Sequence, residues 1–158
     1  MPIDTLRTNH FAVSVSDVEE SVKWYRDVLG FKLLCRNRID HIDTPVAHMD
    51  APDSGFVLEL YSPPDCKPVP EARKNPDEDM KTNGNKHFSL TIENREKTLR
   101  QLAEMGVPVV FEASCWGTYG IFIHDCDGNL IELFEGDMRR KVNVTDAEMQ
   151  GNEGAVYG

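Results

Sequence analysis

The sequence predicts an α+β protein assembled from two βαβββ modules. Two stretches of alternating apolar and polar residues, 9–15 and 86–92, each run into a helical period that closes on a glycine, and three short strand signals separated by turn formers follow each one. Between the two copies lies a proline-rich segment without apolar period. At 158 residues the chain fits one domain. The expected layout is a first module over 8–61, a linker or lid over 62–85, a second module over 86–135 and a polar C-terminal tail over 136–158.

The first strand carries Phe11, Val13 and Val15 on one face. Ser16 and Glu19 stand at capping-box spacing, and Val18, Val22, Tyr25 and Leu29 recur at helical spacing before Gly30. Strands are expected near 31–37, 45–50 and 55–61. In the second module Asn94 can cap a helix lined by Leu99, Leu102 and Met105 and ended by Gly106. Strands are expected near 108–112, 119–124 and 129–134, with Asp127-Gly128 as a tight turn between the last two. Pro63, Pro64, Pro68, Pro70 and Pro76 mark the linker, which is expected to lack structure of its own.

Composition narrows the function classes. The net charge of -10 is the opposite of the basic face that binds DNA or RNA, and it also disfavours anionic membranes. No apolar run reaches the roughly 18 residues that span a bilayer. The start of the chain has no apolar signal core, so a cytoplasmic protein is expected, with Cys35, Cys66, Cys115 and Cys126 as free thiols.

Four polar residues interrupt the apolar pattern at matching places. His10 opens the first strand and His87 its counterpart; Glu59 and Glu132 lie in the last strand of each module. The separations are 59 − 10 = 49 and 132 − 87 = 45. Parity sets each of them opposite the large apolar residues of its strand: His10 opposes Phe11 and Val13, Glu59 opposes Leu58 and Leu60, His87 opposes Phe88 and Leu90, and Glu132 opposes Ile131 and Leu133. If the sheet curls, its inner face holds two imidazoles and two carboxylates. Two carboxylates in one cleft repel unless a cation stands between them. Imidazole and carboxylate donors suit one divalent ion such as Zn, Ni, Co, Mn or Fe(II), and open coordination positions would make it catalytic.

Residues 10–31, HFAVSVSDVEESVKWYRDVLGF, resemble the opening of the vicinal oxygen chelate superfamily, and residues 122–133, FIHDCDGNLIEL, resemble its closing hairpin. That superfamily includes glyoxalase I, methylmalonyl-CoA epimerase, fosfomycin- and bleomycin-resistance proteins and extradiol dioxygenases. The resemblance implies two βαβββ modules forming a curled eight-stranded metal-binding cup with helices outside. It also implies a four-ligand set of His10, Glu59, His87 and Glu132, as in glyoxalase I and the epimerases. The chain departs from glyoxalase I at Asn85-Lys86, where an apolar residue followed by Gly or His is common.

The implied reaction is that of a metal-dependent lyase or isomerase. A proton next to a metal-bound carbonyl of a small carbonyl or thioester substrate is moved through an enediolate. Glu132 is the implied base and Glu59 the second candidate. His48, Trp116, Tyr119 and His124 are candidate substrate contacts. Two alternatives stand beside this: a single-domain Fe(II) extradiol-type dioxygenase using His10, His87 and Glu132, or a non-catalytic protein that binds a small molecule. A homodimer is expected, because open sheet edges need cover.

Overall fold

A computed structural model describes residues 8–115 and 118–136 of the chain. The described residues divide into two compact units: those up to Val69 together with Asp125–Asp127, and those from Pro70 to His124 together with those from Gly128 to Gly136.

The first unit holds β1 (His10–Ser14), α1 (Val18–Leu29), β2 (Lys32–Ile39), a 3-10 turn at Asp40–Ile42, β3 (Thr44–Asp50) and β4 (Val57–Tyr61). Its four strands lie in the order β1-β4-β3-β2, with β1 parallel to β4 and the other pairs antiparallel. The second unit has a 3-10 turn at Glu71–Arg73, α2 (Pro76–Asp79), β5 (Phe88–Ile92), α3 (Arg95–Glu104), β6 (Val109–Cys115), β7 (Thr118–His124) and β8 (Leu130–Glu135). Its order is β5-β8-β7-β6, again with the first and last strands parallel. Two four-stranded mixed sheets with few helices realise the α+β class that the sequence predicts. In both, the meander returns the last strand to the side of the first, which sets β1, with His10, beside β4, with Glu59, and sets β5, which begins one residue after His87, beside β8, with Glu132.

Burial alternates as predicted in β4, where Leu58 and Leu60 are buried while Glu59 is partly exposed. In β8 both faces are covered: Leu130 and Phe134, two residues either side of Glu132, are buried like Ile131 and Leu133. Val22 and Tyr25 of α1 are buried in the core of the first unit, and Leu102 of α3 is buried in the second. Met105, expected on the apolar face of α3, lies just past the helix and is 44% exposed.

Two local expectations are corrected. Asp17, not Ser16, caps α1: its side chain accepts the amides of Glu19 and Glu20 at 2.8 and 3.0 Å. The Ser16 backbone N–H donates to Asp127 Oδ1 at 3.0 Å. At the other end the expected stop is present: Gly30 adopts φ 72°, and its N–H and that of Phe31 donate to the Arg26 and Tyr25 carbonyls.

The linker is the second correction, because part of it is regular. Asn75 caps α2 and Pro76 stands in its first turn, a start signal too short to show as periodicity. α2 delivers Asp79, 1% exposed, to Arg73 Nε at 3.0 Å and Lys86 Nζ at 3.2 Å. Lys86 also donates to the Asp79 and Thr82 carbonyls. The residue before His87 is therefore clamped to the linker, which accounts for a lysine at that place. No helix among the described residues is long and apolar enough to cross a membrane.

Candidate functional site

The two His–Glu pairs form by the same rule in each unit. In the first, Ala12 of β1 faces Glu59 of β4, and His10 is two residues before Ala12. In the second, Ser89 of β5 faces Glu132 of β8, and His87 is two residues before Ser89. His10 is thus the diagonal neighbour of Glu59 across a parallel pair, on the same face, and His87, just ahead of β5, stands at the matching offset from Glu132. His10 Nε2 lies 3.3 Å from Glu59 Oε2, and His87 Nε2 lies 3.4 Å from Glu132 Oε2.

The surroundings of the two carboxylates differ. Glu59 is held from its own strand and a neighbouring one: His48 of β3 sets Nε2 2.9 Å from Oε1, and the Tyr61 hydroxyl, two residues on in β4, donates to Oε2 at 2.5 Å. The hydrogen bond to Glu59 keeps the Tyr61 proton in place, raising its pKa. His48 Nδ1 is 3.4 Å from the exposed Cys35 thiol of β2, so Cys35, His48 and Glu59 form one row across three strands. Glu132 sits beside apolar neighbours, with Phe122 opposite it in β7 and Phe111, Ala113 and Leu130 packed around Phe122. The His87 ring meets Phe122 edge-on at 5.1 Å. Burial opposes ionisation of Glu132, but hydrogen bonds from His87 and Ser89 and the charge of His87 outweigh it, so the carboxyl stays below the usual glutamate value.

Each predicted pair is thus brought together within its own unit. Among the described residues, no three His, Cys, Asp or Glu side chains gather in an arrangement that would hold a metal ion by themselves. The donor chemistry nevertheless fits a divalent cation. Glu59 and Glu132 have histidines as their ion-pair partners among the described residues, not the lysine or arginine that would neutralise them permanently.

The other candidates are scattered. His48 belongs to the Glu59 network. His124 donates from Nε2 to the Lys74 carbonyl at 2.8 Å, which ties β7 to the linker. Tyr119 is exposed, with the Arg95 guanidinium 5.1 Å from its ring centre. Trp116 lies outside the described residues. Sequence reading assigned no role to Tyr61 or Ser89. Each shares a face with the adjoining site residue at a spacing of two, and that parity is the signal that could have found them.

Comparison with known proteins agrees with this fold. Residues 7–133 match the family model of the Glyoxalase/Bleomycin resistance protein/Dioxygenase superfamily. Methylmalonyl-CoA epimerase, mitochondrial, of Bos taurus is 28% identical over 134 residues, covering 80% of this chain and 73% of that protein. The glyoxalase family protein from Enterococcus faecalis superposes with a TM-score of 0.68 at 21% identity, over 82% of this chain and 97% of that one. The trypanothione-dependent glyoxalase I of Leishmania major gives 0.67 at 22% identity, over 93% and 99%. At these identities the two structures speak for the fold.

Proposed function

Because the chain belongs to the Glyoxalase/Bleomycin resistance protein/Dioxygenase superfamily, we propose that it is a divalent-metal-dependent lyase or isomerase that moves a proton next to the carbonyl of a small carbonyl compound or thioester. The observation that carries this reading is the duplicated diagonal pair: imidazole and carboxylate at 3.3 and 3.4 Å, in the same register of two parallel strand pairs. His10, Glu59, His87 and Glu132 are the proposed donors to one divalent ion. When bound, such an ion polarises a carbonyl oxygen and makes the adjoining C–H acidic.

The chain's own residues divide the remaining work. Glu132 accepts the substrate proton on a carboxylate oxygen and returns it, to the neighbouring carbon in a glyoxalase-type isomerisation or to the other face of the same carbon in an epimerisation. His87 and Ser89 orient that carboxylate. Phe111, Phe122 and Leu130 keep water from it. Glu59, bound by His48 and Tyr61, is the fixed carboxylate of the set. The protein acts in the cytosol, as a homodimer, with Cys35, Cys66 and Cys126 as free thiols.

The test combines metal analysis of purified protein with proton exchange in D2O, followed by NMR, on 2-oxo compounds and acyl-CoA thioesters. The epimerase relative makes the thioesters the first choice. About one divalent ion per chain is expected, and His10→Ala and His87→Ala should each lose both the ion and the exchange. Full metal content and rate in both variants would overturn the assignment. Oxygen uptake with catechols would transfer the site to the dioxygenase reading, and ligand binding that survives EDTA without turnover would make it a binding protein.

A further inference from the structure

The two units treat their carboxylates differently at three matching positions. Across β3 and β4, Glu59 faces His48 and Tyr61 faces Val46. Across β7 and β8, Glu132 faces Phe122 and Phe134 faces Gly120. His48 and Tyr61 hydrogen-bond Glu59, whereas their counterparts Phe122 and Phe134 carry no hydrogen-bonding group on their side chains. Gly120 takes the place of Val46, and there the side chain is missing altogether.

The Glu132 carboxylate occupies that space. A Cβ on Gly120 would stand 2.6 Å from Glu132 Oε1 and 3.5 Å from both Cδ and Cγ. Atoms of ordinary side chains do not approach a Cβ as closely as 2.6 Å. The backbone at Gly120 does not call for glycine, since its φ is not among the positive values of the chain. A glycine inside a strand otherwise weakens it. What Gly120 supplies is room: Oε1 lies against the β7 backbone while Oε2 faces His87.

We propose that Gly120 is a positioning residue for Glu132, its missing side chain being the space in which the carboxylate lies while paired with His87. The inference rests on the reading of Glu132 as cation donor and proton carrier. It assigns the two glutamates different surroundings: His48 and Tyr61 hold the two oxygens of Glu59, and Glu132 sets Oε1 against the Gly120 backbone.

Gly120→Ala tests this cleanly, because the clash falls on the far end of a flexible side chain and displaces the carboxylate, not the strand. The variant should keep its far-UV circular dichroism. Its affinity for Co(II) should fall about 10- to 100-fold, the range for disturbed support of a metal ligand, with a changed visible spectrum. In metal-free protein the ring 15N resonances of His87 should also shift. In a Glu132→Ala background, with no carboxylate to displace, Gly120→Ala should leave the His87 resonances unchanged. Unaltered Co(II) affinity together with unaltered His87 resonances would overturn the proposal, as would equal shifts in the presence and absence of Glu132. If the wild type binds no Co(II), the cation reading falls, and the His87 comparison still decides the role of Gly120.

Discussion

Glu132 is under two opposed influences. Apolar neighbours disfavour its charge, while His87 and Ser89 favour it strongly enough to hold the carboxyl below its ordinary value. Such a group is ionised and ready to accept a proton, but only once its hydrogen bonds loosen. Glu132→Gln preserves the size and one oxygen donor and removes the capacity to accept a proton at neutral pH. It should keep most of the metal and lose about a hundredfold in proton exchange. Glu59→Gln retains an oxygen for the Tyr61 hydroxyl and should lose less. Near-normal exchange by Glu132→Gln would exclude that carboxylate as the base.

Tyr25 raises a separate residue-scale expectation. Its hydroxyl donates to Asp125 Oδ2 at 2.9 Å in a buried setting, and burial first, then the charge of Asp125, raises its pKa well above the usual phenol value. In the unfolded chain the phenol ionises near pH 10. The folded state therefore holds the proton after the unfolded state has released it. This contribution to stability is complete below about pH 10 and is lost as pH rises further, by up to about 1.4 kcal/mol per pH unit. Urea midpoints should hold up to about pH 10 and fall above it along this slope, and Tyr25→Phe should flatten the fall. An unchanged slope in Tyr25→Phe would assign the alkaline loss to other groups.

At the scale of the element, the start of α1 separates two neighbouring polar residues. Asp17 accepts two first-turn amides, and Ser16 accepts none of them. Asp17→Ala should cost about 1 kcal/mol in urea unfolding, whereas Ser16→Ala should be close to neutral, because its N–H bond to Asp127 survives the change. Equal losses in the two variants would contradict the cap assignment. The linker behaves as an element too. The contacts of buried Asp79 with Arg73 and Lys86 hold the chain just ahead of His87, so the segment between the modules bears on where a site strand begins.

At the scale of the whole molecule, each sheet ends on two outer strands, β1 and β2 in one and β5 and β6 in the other. Leu34 on β2 is 55% exposed and Val110 on β6 is 37% exposed, so outer strands present apolar side chains that a partner copy would cover. Sedimentation at high micromolar concentration should therefore give a homodimer. A monomer there would remove the dimer from the proposed function.

The sequence by itself determined the two modules, the strand faces and the equivalence of the two His–Glu pairs. All three follow from local periodicity and from a spacing that is duplicated along the chain. Alternation decides which side of a strand a residue takes, so His10 with Glu59 and His87 with Glu132 were legible before any contact was known. Only the tertiary structure decided what closes around each carboxylate. His48 reaches Glu59, and Gly120 makes room for Glu132, through the register of neighbouring strands, which periodicity leaves open. The Ser16 N–H meets Asp127, 111 residues away in sequence. These contacts depend on which strands and loops become neighbours, and that is settled by packing the whole unit, not by any pattern within one segment.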